Sequence, residues 1–129
     1  MCKIDNLGVI LEAFAEVIED ALKSDVTEVK LSAILLKNVF KDLALKVMFG
    51  KCDAIDFNYV DKLYETIRDL ELYAYKSFED MVHVEKGCEK NSNCYSGALF
   101  SMAVGVTKFI EDKLEVLELE KQHKGEEDE

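Results

Sequence analysis

Two pairs of side chains have the types and spacing of metal ligands. Asp80 and His83 stand three residues apart, as do Glu120 and His123. Residues at i and i+3 share a helix face, and a carboxylate-x-x-His pair on each of two helices is the ligand pattern of di-iron bundles. A shared metal would need both pairs in one place. Each pair here closes its own helical segment, and the two segments are expected to run antiparallel, which puts the pairs at opposite ends. Histidines favoured at helix C-termini by the helix dipole are the simpler account. Nucleophilic chemistry has no better footing. There is no glycine-rich phosphate loop, and Cys88 near His83 lacks a third group to orient the pair.

A second arrangement could hold magnesium. Glu16 and Glu19 on a first helix could face Glu65 and Asp69 on a third. In this the chain resembles all-helical nucleotide pyrophosphohydrolases, which hold magnesium with clustered acids. The resemblance is confined to acids on helices. The paired-glutamate and Glu-x-x-Asp motifs of those enzymes are missing in order, and Glu65 and Asp69 are spaced four apart. Acids on exposed helix faces are ordinary solvation, so no metal site, cofactor or catalytic residue is assigned.

The four cysteines are Cys2, Cys52, Cys88 and Cys94. Four cysteines allow three pairings. In an up-and-down bundle, Cys2 before the first helix and Cys52 after the second share one end. Cys88 and Cys94 share the other. A helix of 20 residues is about 30 Å long, and a disulfide requires Cα atoms within about 7 Å. Any disulfides are therefore expected to be Cys2–Cys52 and Cys88–Cys94. One zinc ion cannot reach cysteines at both ends, and Cys-x5-Cys is wider than a zinc knuckle.

The elements that position these groups are helices. The chain has 129 residues, no proline and six glycines, so little interrupts a helix. Ile4, Leu7, Leu11, Phe14, Ile18 and Ala21 alternate spacings of three and four, the mark of one buried helix face over about 5–23. A second helix over about 28–49 carries Ala33, Leu36, Phe40, Leu43 and Val47, widened by Ile34, Leu35, Val39, Leu45, Met48 and Phe49. A helix this apolar is central or shared with a partner. The third, about 59–85, shows Val60, Leu63, Ile67, Leu70, Ala74, Phe78 and Met81. The fourth, about 96–121, shows Leu99, Met102, Val106, Phe109, Ile110, Leu114 and Leu117. Asp5, Asp25 or Thr27, and Asp56 or Asn58 are candidate caps, and Gly50 a helix stop. No segment alternates as a strand does. The expected fold is all-α, a four-helix up-and-down antiparallel bundle with short connections, over residues 1–121. An acidic disordered tail is expected over 122–129.

Charge narrows the partners. The net charge is −11, which repels nucleic-acid phosphates and anionic lipid, so direct binding to either is not expected. The longest uncharged run, Cys94 to Thr107, is shorter than the roughly 20 residues of a membrane span. With no secretory pattern at the N-terminus, the expected location is cytoplasmic. Scarce Gln and abundant Glu and Lys resemble hyperthermophile composition, where intracellular disulfides are ordinary. Against this acidic background, residues 26–51 carry five lysines and two acids, a net of +3. The expected role is a non-enzymatic interaction or structural protein acting as a homodimer. Leu35 and Val39 on the second helix and the small residues Gly97, Ser101 and Gly105 on the fourth are its candidate interface. The alternatives are the magnesium-dependent pyrophosphohydrolase and an acidic decoy that mimics nucleic acid for a basic protein.

Overall fold

In the computed structural model, residues 4–77 and 95–127 are described, with side chains over 4–73 and 95–122. They form four α-helices: α1 (Leu7–Ala21), α2 (Thr27–Met48), α3 (Phe57–Ser77) and α4 (Tyr95–Glu127), with a 3-10 turn at Cys52–Ala54 between α2 and α3. There is no strand among the described residues. The molecule is the expected all-α antiparallel bundle. The stretch of 78–85 assigned to the third helix lies outside the described residues.

The heptad-like spacing fixes which faces turn inward. Leu7, Leu11, Phe14 and Ile18 of α1 are buried against Val29, Ala33, Leu36, Phe40 and Leu43 of α2. Val60, Leu63 and Ile67 of α3 complete that core from the other side. Truncating a fully buried leucine such as Leu36 or Leu43 costs about 2–5 kcal/mol, because both transfer energy and packing are lost. α2 and α4 touch along the short diagonal of the bundle, and each also packs on both other helices. α1 and α3 face each other across the long diagonal.

That double role explains a shift on α4. Its buried face holds Leu99, Phe100, Ala103, Val106, Thr107 and Ile110. Met102, expected inward, is exposed, while Phe100 and Ala103 are buried. Ala103, with only a methyl, lets the diagonal neighbour come close. Thr107 is satisfied there because its Oγ1 donates to the Ala103 carbonyl at 2.9 Å. α4 also passes the boundary expected at Lys121 and reaches Glu127. Lys, Gln and Glu are good helix formers, and a single glycine such as Gly125 costs about 1 kcal/mol, too little to stop a helix alone.

Helix ends follow local chemistry. Asp56 caps α3 as expected: its Oδ1 accepts from the Tyr59 N–H at 2.9 Å. Gly50 closes α2 with φ 68°, and Lys51 N–H donates to the Lys46 carbonyl at 2.7 Å, a Schellman arrangement. Other ends differ from expectation. Asn6, not Asp5, precedes α1, with φ 65° and no side-chain cap bond. Asparagine is one of the few side chains that tolerate that left-handed conformation. Between α1 and α2 neither Asp25 nor Thr27 caps. Val26 precedes α2 with no side-chain cap bond, and the Ser24 hydroxyl holds the turn by accepting from Val26 N–H at 3.1 Å.

Candidate functional site

The four acids of the magnesium arrangement are not brought together. Glu16 and Glu19 are exposed on α1, Glu65 and Asp69 exposed on α3, across the long diagonal. Glu19 is instead paired with Lys37 of α2 at 3.1 Å. Among the described residues no three His, Cys, Asp or Glu side chains cluster closely enough to share a metal ion. Asp80, His83, Cys2, Cys88 and Cys94 lie outside the described residues, as does the side chain of His123. Cys52 is buried and disulfide-bonded, and the cysteine it pairs with is not among the described residues.

The interface candidates divide. Leu35 and Val39 are half-buried, and Val39 packs against the core. Ser101 and Gly105 are exposed and Gly97 is half-buried. A Cβ added at Gly105 would meet nothing within 4 Å, so no helix among the described residues makes use of the small side chain there.

Two other features of α2 do stand out, and sequence spacing alone did not separate them. The first is a groove of about 310 Å³ between α1 and α2. Leu11, Phe14 and Ile18 of α1 and Phe40 of α2 form its floor. Phe14 and Phe40 meet edge to face, with centroids 5.1 Å apart and planes at 79°, the preferred geometry for aromatic pairs. Ala15 and Ala44 line opposite walls. Their methyls leave open the space that longer side chains would fill. The rim is polar: Glu19, Lys37, Asn38 and Lys41. Lys37 is committed to Glu19, whereas Lys41 makes no ion pair among the described residues.

The second feature is an apolar pole where α2 ends and α3 begins. Leu45, Met48, Phe49 and Phe57 are exposed there, at 40%, 73%, 68% and 41%. Ile34, also exposed, continues the α2 stripe away from the pole. Beside it, Phe57 joins Leu114 and Leu117 of α4 in lining a shallow depression. One cation at this pole is neutralised within α2. Lys46 Nζ lies 3.2 Å from Asp42 Oδ2, and the Tyr59 hydroxyl donates to the same oxygen at 2.9 Å. Lys46 Nζ also stands 5.5 Å from the centre of the Tyr59 ring. The Tyr59 hydrogen bond, then that of Lys46, holds the Asp42 carboxyl below the usual carboxylate range. Burial, reinforced by the bond to Asp42, pushes the Tyr59 phenol well above its ordinary value.

The opposite face of the bundle is ionic. Lys108 on α4 sits 3.2 Å from both Glu111 and Asp112, and its hydrogen bond to Asp112, then that to Glu111, pushes the ammonium up to about 12. Tyr64 of α3 is raised by burial and by the nearby Glu111 charge. Exposed pairs of this kind contribute little to stability. No helix among the described residues is long and apolar enough to cross a membrane. Compared with known families, with characterised proteins and with solved structures, the chain matches none.

Proposed function

We propose that this chain is a non-enzymatic interaction bundle that works as a homodimer joined at the apolar pole. The observation that carries the reading is the exposure of Leu45, Met48, Phe49 and Phe57 at one end of the molecule. Large apolar side chains grouped on a surface mark interaction sites, and aromatics and Met are enriched in interface cores. Charge favours a second copy as the occupant. Two chains of net charge −11 repel over their acidic faces. α2 is the basic exception, and at the pole Lys46 and Lys51 stand among Asp42, Asp53 and Asp56, a mixed set of nearly balanced charge, so two poles meet with little like-charge cost. The small exposed residues Ser101 and Gly105 offer a further place for close helix approach.

The Cys52 disulfide fits a staple at the same end. The antiparallel order of α1 and α2 favours Cys2 as its partner, leaving Cys88 and Cys94 for one another. Closing the larger loop contributes roughly 4 kcal/mol on the chain-entropy account. The chain belongs in this reading to a cytoplasm that tolerates disulfides, as in hyperthermophiles.

Sedimentation equilibrium over a wide concentration range tests the association. The expected result is a dimer for the native chain, weakened about tenfold or more by Met48→Glu with Phe49→Glu. At concentrations low enough for both proteins to be monomeric, the two should melt at the same temperature, because both side chains are exposed in the single chain. A native chain that stays monomeric at millimolar concentration overturns the proposal.

A further inference from the structure

We infer that the groove between α1 and α2 binds a small anionic amphiphile, a monocarboxylate with an aliphatic tail of the medium-chain fatty-acid kind. The inference is independent of the dimer reading, since it rests on a different surface of α2. The groove is of ligand size: small-molecule sites start at about 300 Å³ and are mainly apolar with a few placed polar groups, and this one measures about 310 Å³. Its floor of Leu11, Phe14, Ile18 and Phe40 offers nothing to a polar ligand and good packing to a hydrocarbon.

The rim sets the head group. Two lysines flank the opening, and Glu19 neutralises one of them. Lys41 remains as a single uncommitted cation, with the Asn38 amide one helical step from it as a neutral donor. One free positive charge beside an apolar slot suits one negative charge on an apolar tail. A cationic tail would meet Lys41 unfavourably. A dianion such as a phosphate monoester would carry a second charge that nothing on this rim balances, in a chain of net charge −11. A neutral alcohol would fill the slot and leave Lys41 unanswered.

Octanoate is the probe, with 1-octanol as its neutral counterpart, both titrated into the full chain and followed by backbone amide shifts. Saturable octanoate shifts at Ala15, Phe40, Lys41 and Ala44 are expected. Affinity should fall about tenfold in Lys41→Glu and for octanol, the worth of one charge-assisted contact. Ala44→Phe, which fills the slot from an exposed wall, should abolish binding. Lys41→Glu alters only an exposed rim residue, so it keeps the test sound if Ala44→Phe fails to fold. No saturable shift at millimolar octanoate overturns the inference. So does equal binding of octanol with no effect of Lys41→Glu, or shifts centred on Leu45, Met48 and Phe49 instead of the groove. Sedimentation of the same samples separates this outcome from the fate of the dimer.

Discussion

The groove and the pole are both apolar surfaces on one helix, yet they are built oppositely. In the groove, rings that belong to the core are seen through a gap left by two alanines. At the pole, the Phe49 ring and the Met48 thioether stand mostly in solvent. The groove is concave and keeps a free cation at its mouth. The pole is convex, and its Lys46 is tied down by Asp42 and Tyr59. A concave slot selects a small molecule by shape and charge. A convex, neutralised patch has value only against another macromolecular surface. Exposed hydrophobicity is therefore not one property, and its meaning here depends on whether the same residues also carry the fold.

Substitutions can break that contrast in order of size. Phe40→Ala should be the most severe, destabilising the chain by about 3–5 kcal/mol in urea unfolding, because Phe40 is at once groove floor and core partner of Phe14. Octanoate binding should vanish with it while the pole is untouched. The Met48→Glu, Phe49→Glu pair should do the reverse, weakening association while the monomer's own stability stays constant. Ser32→Ala serves as a control that favours neither surface. The Ser32 hydroxyl is fully buried on α2 without a hydrogen-bond partner, whereas Thr107 has one. Removing an orphaned buried hydroxyl should raise stability by about 1 kcal/mol in the same urea measurement.

The smallest effect lies in pH. Tyr59 has its folded-state phenol raised, so its contribution is present below the ordinary tyrosine range, about pH 10, and is lost as pH rises toward the folded value. Asp42 is lowered, so its contribution is present above the ordinary carboxylate range and lost as pH falls through the depressed value. Tyr59→Phe should flatten the alkaline loss of stability in pH-dependent thermal unfolding. It should also remove the late phenol from an ultraviolet titration.

Much of the fold was legible because helical burial has a period. Leu7, Leu11, Phe14 and Ile18, or Ala33, Leu36, Phe40 and Leu43, could be placed inward from spacing alone. The polar cap at Asp56 and the stop at Gly50 needed only local chemistry. The surfaces were harder to see. Spacing grouped Ile34, Leu45, Met48 and Phe49 with Val39 as one widened face. Only the positions of the flanking helices decide that Val39 is covered and the others are not. The groove is invisible for a similar reason, since Ala15 and Ala44 are unremarkable until they oppose each other across 28 residues of sequence. The acids Glu16, Glu19, Glu65 and Asp69 illustrate the converse. Each pair shares a helix face, but the bundle sets the two helices on its long diagonal.

That diagonal has a consequence for how the chain folds. α1 with α2, and α3 with α4, are neighbours in sequence and pack as antiparallel hairpins, which are local and quick to form. The two hairpins are united by α2 on α3, across the short link of 49–56, and by α2 and α1 on α4, which have all of α3 between them in the chain. On contact order the α2–α4 and α1–α4 contacts, of large sequence separation, are expected to close after those within each hairpin and those of α2 with α3.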